Sequence, residues 1–341
     1  MKGLTDIPGI RVGHASDYEA LTGCTAIRCE AGAAAGIDVR GAATGLEEPG
    51  LLSPLHLTER LHAVVLAGGS AFGLEAASGV RRYLEHKGVG FETPAARVPL
   101  VAGAILYDLA LGKPNVRPTR EMGEAAAAAA TSGAVAEGCV GAGTGASVGK
   151  LFGMRRAMKS GLGSFTVALE GSALVSALAA VNAFGDVVDP ETGRIVAGAR
   201  RSETGLEFAD TARELKRGAP GGIPNPGENT TLAVIATNAR LSKPQATRLA
   251  QMASAGMARA ISPVFTMLDG DVVFALSAGD VWADLNALGV AAAEALAQAI
   301  LRAVRLARPL GGLPALKTGK TGDSTLNTPI SPGVFSAKQV Y

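Results

Sequence analysis

The most constraining feature of this sequence is an abrupt change from turn-forming to strand-forming residues at residue 230. Residues 221–229, GGIPNPGEN, are dense in Gly, Pro and Asn, which favour turns and exclude a regular helix or strand. Residues 230–237, TTLAVIAT, follow at once, and their β-branched and apolar side chains predict a buried strand. Any fold of this chain must therefore join an irregular segment directly to a buried strand.

Strands and helices are mixed along the rest of the chain. The predicted strands span 61–67, 165–170, 179–188 and 269–276, whereas 189–220 is polar and predicts loops. Three helices are predicted. Two of them span 121–138 and 283–307, and the third begins after Ser242, its N-cap residue. Because this order lacks a strict strand–helix–strand repeat, it favours a layered α+β sandwich over a doubly wound parallel sheet.

The composition argues against several classes of partner. Aromatic residues make up 4% of the 341 residues, which leaves few platforms for stacking nucleobases. The formal net charge is +2 and the sequence has no run of basic residues, so its charge does not indicate a polyanionic partner. Every apolar stretch long enough to span a bilayer is interrupted by polar residues. We therefore expect neither nucleic acid nor a membrane among the partners.

Cysteine and histidine are too sparse to indicate a metal site or a disulfide framework. The 3 cysteines and 4 histidines lack metal-ligand spacing. The first residues, MKGLTDIPGIRVG, lack the apolar core of a secretory signal. We expect a cytoplasmic protein that needs neither a metal nor an organic cofactor.

Two common kinds of site fail on their spacing. The loop VGAGTGASVGK ends at Lys150, but Thr144 stands where a phosphate-binding loop needs its first glycine, and Leu151 replaces the Ser or Thr. A Ser-His-Asp triad is not indicated, because every histidine lies before residue 87 and none accompanies a G-x-S-x-G elbow. A hydrolase built on this chain needs a base other than histidine.

The junction at residue 230 offers such a base. A threonine hydroxyl is a poor nucleophile unless a neighbouring group takes its proton. An α-amino group, with a pKa of about 7.7–8.0, is suited to that task near neutral pH, and Thr230 acquires one if the chain is cut just before it. The alternative is that Thr230 and Thr231 simply begin a strand, where threonine is favoured.

Motifs along most of the chain indicate a family. They are IPGIRVGHA, GCTAI, DVRGAATG, LAGGSAFGLEAASGV, ASVGK, NTTLAVIATNARLS, DGDVVFAL and LNALGVAAAE, in this order over about residues 5–305. By these motifs the chain resembles the L-aminopeptidase/D-esterase family of self-processing hydrolases, which includes β-peptidyl aminopeptidases and nylon-oligomer (aminohexanoate-oligomer) hydrolases. The Asn-Thr junction resembles that of the nylon-oligomer hydrolases more than the Gly-Ser junction usual in the aminopeptidases.

The resemblance assigns roles to particular residues. It implies cleavage between Asn229 and Thr230, with Thr230 as the nucleophile. Lys150 matches a lysine beside the nucleophile, and Asn182 matches an asparagine that holds the substrate carbonyl oxygen. Two carboxylates near the nucleophile's amino group are matched by the aspartates of LDGD, Asp269 and Asp271. Without the resemblance, this Asp-Gly pair is an ordinary turn signal.

The resemblance also implies the architecture. We expect a four-layer αββα sandwich formed as one domain, residues 1–307, and cut into chains 1–229 and 230–341. Residues 308–341 are polar and aperiodic, and we expect a tail with little structure of its own. The family commonly assembles several such pairs of chains, so a homotetramer acting on small peptides or amides is expected.

Two other functions remain open from the sequence. Ornithine acetyltransferases share the expected fold and also use a threonine freed by self-cleavage, but their junction is typically Ala-Thr followed by Met-Leu, unlike residues 228–232 here. An uncut scaffold protein without activity is the second alternative. A single uncut band after long incubation would indicate it.

Overall fold

The structure is a computed structural model that describes residues 1–218 and 229–316. Its strands are β1 Arg11–Asp17, β2 Thr22–Val39, β3 Leu46–Glu47, β4 Leu61–Ala67, β5 Phe91–Glu92, β6 Arg97–Val98, β7 Val101–Ile105, β8 Ser147–Val148, β9 Met158–Lys159, β10 Leu162–Ala168, β11 Leu174–Asn182, β12 Asp186–Val188, β13 Ile195–Ala197, β14 Thr230–Ala239, β15 Ile261–Ser262 and β16 Val272–Val281. Its α-helices are α1 Glu75–His86, α2 Arg120–Ala128, α3 Thr211–Lys216, α4 Lys243–Ala260 and α5 Leu285–Arg305. Short 3-10 helices span Leu4–Asp6, Pro49–Leu52, Ser70–Leu74, Gly141–Gly143 and Met154–Arg156.

One long strand, β2, joins two sheets. Its first part pairs with β1 and β4, and its last part, Ala34–Val39, pairs with β16. The resulting path of hydrogen-bonded strands runs β10, β11, β14, β16, β2, β4, β7 and β3. β14 is therefore an interior strand, antiparallel to β11 and parallel to β16.

Alternating side chains of β14 show how the sheets are layered. Leu232, Val234 and Ala236 lie in the core between the two sheets. Ala233 and Ile235 point the other way, into the core formed with α4 and α5. On the far side, α1 and α2 pack on β4 and β7. The order is thus helices, sheet, sheet, helices, which confirms the expected α+β sandwich.

Glycines allow the helices to pack closely on their neighbours. A Cβ at Gly36 of β2 would lie 2.1 Å from the backbone nitrogen of Thr247 in α4. A Cβ at Gly256 of α4 would lie 2.0 Å from the carbonyl oxygen of Ala293 in α5. The helix expected after Ser242 is confirmed, with Ser242 and Gln245 forming a capping box.

Three local predictions were wrong. The strand expected over 179–188 is interrupted at 183–185, between the end of β11 and the start of β12. The helix expected over 121–138 ends at Ala128, because Thr131 instead exchanges backbone hydrogen bonds with Val12 of β1 at 3.0 and 3.1 Å. This pairing outweighs the helix preference of the alanine run. Within the expected loop 189–220, Thr211–Lys216 forms α3, whose N-terminal amide at Arg213 is capped by Asp210.

The helix α5 is long and apolar enough to cross a membrane, but 72% of its apolar window is buried inside the structure, as is usual for a core helix. Beyond it, Leu313 and Ala315 are also buried. The rest of the expected tail, 317–341, and most of the turn-rich segment 221–229 lie outside the described residues.

Candidate active site

Thr230 lies where three strands meet. It is the first residue of β14, and in the β11 pairing it stands opposite Asn182, the last residue of β11. On the other side, Asn229 forms a parallel bridge with Asp269, just before β16 begins. The strand order therefore brings together residues that are widely separated in the sequence.

Lys150 reaches this point from the Gly-rich loop. Its backbone N–H donates to the Phe184 carbonyl oxygen at 3.0 Å, which fixes the loop against the turn after β11. Its ammonium Nζ donates to the Asn182 side-chain Oδ1 at 2.7 Å and to the Asn182 carbonyl oxygen at 2.9 Å. The ammonium thus lies at the strand position directly opposite Thr230.

The Asn182 side chain connects several parts of the site. Its Oδ1 also accepts from the backbone N–H of Ser147 at 3.1 Å. Its Nδ2 donates to the Tyr107 carbonyl oxygen at 2.8 Å. Asn182 is fully buried, so these contacts hold the side chain in one orientation and hold the Lys150 ammonium with it.

The two aspartates bind different neighbours. Asp269 accepts from the Phe184 N–H at 3.0 Å and from the Thr266 hydroxyl at 2.5 Å. Asp271 accepts from the N–H of Thr231 at 2.6 Å and from the N–H of Phe265 at 3.2 Å. Asp271 thereby orients the backbone immediately after Thr230. Asp269 ties the segment before β16 to Phe184 in the turn after β11, and the Lys150 N–H binds the same residue.

Burial raises the pKa of both carboxyl groups. For Asp271, burial and then the negative charge of Asp269 raise the pKa to about 7. For Asp269, burial raises the pKa, although its hydrogen bonds with Thr266 and Phe184 and the charge of Lys150 oppose the shift. Near neutral pH the pair therefore carries less than two negative charges.

The carbonyl oxygen of Asn229 is held from two sides. Among the described residues, its hydrogen-bond donors are the Thr230 hydroxyl, with Oγ1 to oxygen 2.5 Å, and the backbone N–H of Gly270, at 2.9 Å. The chain is continuous here, so the hydroxyl already touches the peptide group that it would attack.

The site is closed in this continuous chain. Thr230 is 2% exposed and Lys150 is 5% exposed. Lys150 also lines a small cleft, together with residues that include Tyr107, Leu111, Ser147 and Met154. Within residues 1–218 and 229–316, His, Cys, Asp and Glu side chains form no group of three suited to a metal ion.

All the sequence-predicted site residues lie in this one region, namely Lys150, Asn182, Asn229, Thr230, Asp269 and Asp271. Sequence reasoning missed Ser147, Thr266 and Gly270, and it gave Tyr107 no role. The ASVGK motif could have indicated Ser147. Gly270 acts through its backbone, and its place inside an Asp-Gly turn signal concealed it.

The chain matches known proteins over nearly its whole length. The model of peptidase family S58 matches residues 2–317. A protein of Mycobacterium tuberculosis described as an uncharacterized aminopeptidase is 39% identical, over 93% of this chain and 97% of its own length. A 6-aminohexanoate-oligomer endohydrolase of Paenarthrobacter ureafaciens is 32% identical, over 87% of this chain and 84% of its own length.

A solved structure has the same fold. It is the L-aminopeptidase D-Ala-esterase/amidase of Ochrobactrum anthropi, described as a variant of the N-terminal-nucleophile hydrolase fold, with a TM-score of 0.69 and 20% identity. The match covers 92% of this chain and 88% of that one. The sandwich described above is therefore of that type.

Proposed function

The chain belongs to peptidase family S58 and is a hydrolase of the N-terminal-nucleophile type, and from that premise we propose that it cuts its own Asn229–Thr230 bond and then uses the freed Thr230 to hydrolyse amides. The observation that carries this proposal is the contact of 2.5 Å between the Thr230 hydroxyl and the carbonyl oxygen of Asn229.

Self-cleavage follows from that contact in two steps. The Thr230 oxygen attacks the Asn229 carbonyl carbon, the C–N bond breaks, and the hydroxyl proton passes to the departing nitrogen. Water then hydrolyses the resulting ester, leaving a carboxylate on Asn229 and a free hydroxyl and α-amine on Thr230. Asp271 supports the geometry, because its carboxyl group fixes the Thr231 N–H on the next peptide unit.

The freed α-amine then serves as the base for substrate. It takes the proton of the Thr230 hydroxyl as the oxygen attacks a substrate amide, and it passes that proton to the leaving amine. Water then hydrolyses the acyl-Thr230 ester, which releases the carboxylate product and restores the hydroxyl. Lys150, fixed by Asn182, supplies positive charge that favours the oxyanion and lowers the proton affinity of the hydroxyl. We expect Asp269 and Asp271 to orient the ammonium form of the new N-terminus, because opposite charges in a buried site attract.

The substrates of such a hydrolase are small peptides or amides. The printed names of two relatives point to aminopeptidase activity and to hydrolysis of 6-aminohexanoate oligomers. The Asn-Thr junction favours the second, so we propose linear amide oligomers as a substrate class beside short peptides. We also propose a cytoplasmic homotetramer of processed chain pairs.

A substrate panel tests this assignment. The purified protein should hydrolyse L-amino-acid p-nitroanilides or 6-aminohexanoate oligomers, whereas Thr230→Ala should hydrolyse neither and should remain full-length. Thr230→Ser, which keeps a hydroxyl, is the matched control and should still be cut. Activity in a folded, uncut Thr230→Ala chain would contradict the nucleophile. Transfer of an acetyl group from acetylornithine to glutamate would instead favour the acyltransferase alternative.

A further inference from the structure

We propose that the backbone N–H of Gly270 is the oxyanion donor for self-cleavage. This inference rests on the proposed function, since it takes the Asn229–Thr230 bond as the one that is cut. When the Thr230 oxygen adds to the Asn229 carbonyl carbon, the electrons of the C=O bond move onto its oxygen. The Gly270 N–H already lies 2.9 Å from that oxygen, within the range from which a donor stabilises developing negative charge.

The peptide unit that carries this N–H is fixed on its other side. The carbonyl oxygen of Asp269, in the same peptide unit, accepts from the Ala43 N–H at 3.0 Å. Two residues on, the carbonyl oxygen of Asp271 accepts from the N–H groups of Arg40 and Gly41 at 3.0 and 3.1 Å. The unit therefore cannot turn its N–H away from Asn229 without breaking hydrogen bonds to residues 40–43. A donor held in this way needs no reorganisation when the charge develops.

Only glycine fits at this position. A Cβ at residue 270 would lie 2.4 Å from the carbonyl oxygen of Ala43 and 2.8 Å from the Oγ1 of Thr230. The first contact is with backbone and cannot be relieved by a side-chain rotation. The second would push the hydroxyl out of the position from which it attacks. The absence of a side chain thus lets one residue approach both the nucleophile and the carbonyl oxygen.

Asn182 is placed differently. Its Nδ2 donates to the Tyr107 carbonyl oxygen, and its Oδ1 accepts from Lys150 and Ser147. These contacts make Asn182 a positioning residue for Lys150 in the uncut chain. Among the residues that the structure describes, the donors to the Asn229 oxygen are the Gly270 N–H and the Thr230 hydroxyl itself.

Replacing the N–H alone provides the test. Glycolic acid in place of Gly270 exchanges the amide for an ester, which removes the N–H without adding an atom that could clash. The matched control is the same exchange at Gly193, whose N–H donates to the Asp189 carbonyl oxygen at 2.8 Å and whose Cβ position is open. Intact mass and a denaturing gel report the fraction cut over time, and circular dichroism reports folding.

We expect the Gly270 ester chain to be cut on the order of 10²–10³ times more slowly than the unmodified chain, which is the loss typical of one oxyanion donor. The Gly193 ester chain should be cut at the normal rate. A folded Gly270 ester chain that is cut at the normal rate would overturn the proposal. That result would leave Thr230 as the nucleophile. A wild-type chain that stays whole, or a Thr230→Ala chain that is cut, would instead contradict the proposed function.

A second measurement does not depend on how the ester chain folds. In uncut Thr230→Ala protein, the Gly270 amide should exchange its hydrogen far more slowly than the amide of Gly50, whose Cβ position is open. Equal exchange rates would show that the N–H is not held on the Asn229 oxygen, and would overturn the proposal independently.

Discussion

Replacing Asp271 by asparagine should change how stability depends on pH. Burial and the charge of Asp269 raise the pKa of Asp271 from 3.8 to about 7 in the folded chain. An acid whose pKa is higher in the folded than in the unfolded chain binds its proton more tightly when folded. It therefore stabilises the fold at low pH, and this contribution is lost as the pH rises towards 7. Asparagine does not titrate, so the variant lacks this pH-dependent contribution.

The size of the effect follows from the two pKa values. With 3.8 in the unfolded chain and about 7 in the folded chain, the linkage relation gives a loss on the order of 2–3 kcal/mol between pH 5 and pH 8. Asparagine also disturbs the hydrogen bonds from the Thr231 and Phe265 N–H groups. That cost is the same at both pH values, and it cancels when the change with pH is compared between the two proteins.

Urea denaturation in an uncut Thr230→Ala background measures this difference on a single chain. The free energy of unfolding should fall from pH 5 to pH 8 by about 2–3 kcal/mol more in the parent than in Asp271→Asn. The same fall in both proteins would refute the reasoning, because it would mean that the Asp271 carboxyl group titrates as it does in the unfolded chain.

Three further predictions concern the site and the packing around it. Lys150→Ala and Asn182→Ala should each lower kcat on the order of 10²–10³-fold, and a near-normal kcat in either variant would remove that residue from the site. Conversion of both Asp269 and Asp271 to Asn should shift the rising limb of the plot of kcat/KM against pH to lower pH, because nearby carboxylates favour the ammonium form of the base. A rising limb at the same pH would show that these carboxylates do not affect the pKa of the α-amino base. Gly36→Ala should lower the free energy of unfolding by about 1–3 kcal/mol, because its Cβ would lie 2.1 Å from a backbone nitrogen of α4. Gly50→Ala, where the Cβ position is open, is the control and should leave this free energy unchanged. An unchanged value for Gly36→Ala would contradict the close packing.

Much of the fold could be predicted where local signals and tertiary contacts agree. The run LHAVVLA predicted β4 with its observed ends, Leu61 and Ala67. Ser242 likewise marked the start of α4 as its N-cap. Prediction failed at residues 129–138, where pairing with β1 depends on a strand more than 100 residues away along the chain.

Some features of the candidate site could be predicted from the sequence, whereas others depend on the folded structure. Side chains such as Lys150 and Asp269 could be found by motif, because their chemistry belongs to the residue type. The pKa of Asp271 could not, since it depends on burial and on a neighbouring charge. The Gly270 N–H could not either, because every non-proline residue has one, and only the folded backbone shows which carbonyl it binds.

The position of the cut tests the central claim most directly. Intact mass and N-terminal sequencing of the purified protein should give fragments of 229 and 341 − 229 = 112 residues, and the smaller fragment should begin TTLAVIAT. A single chain of 341 residues after prolonged incubation, or a smaller fragment that begins at any residue other than Thr230, would contradict the account.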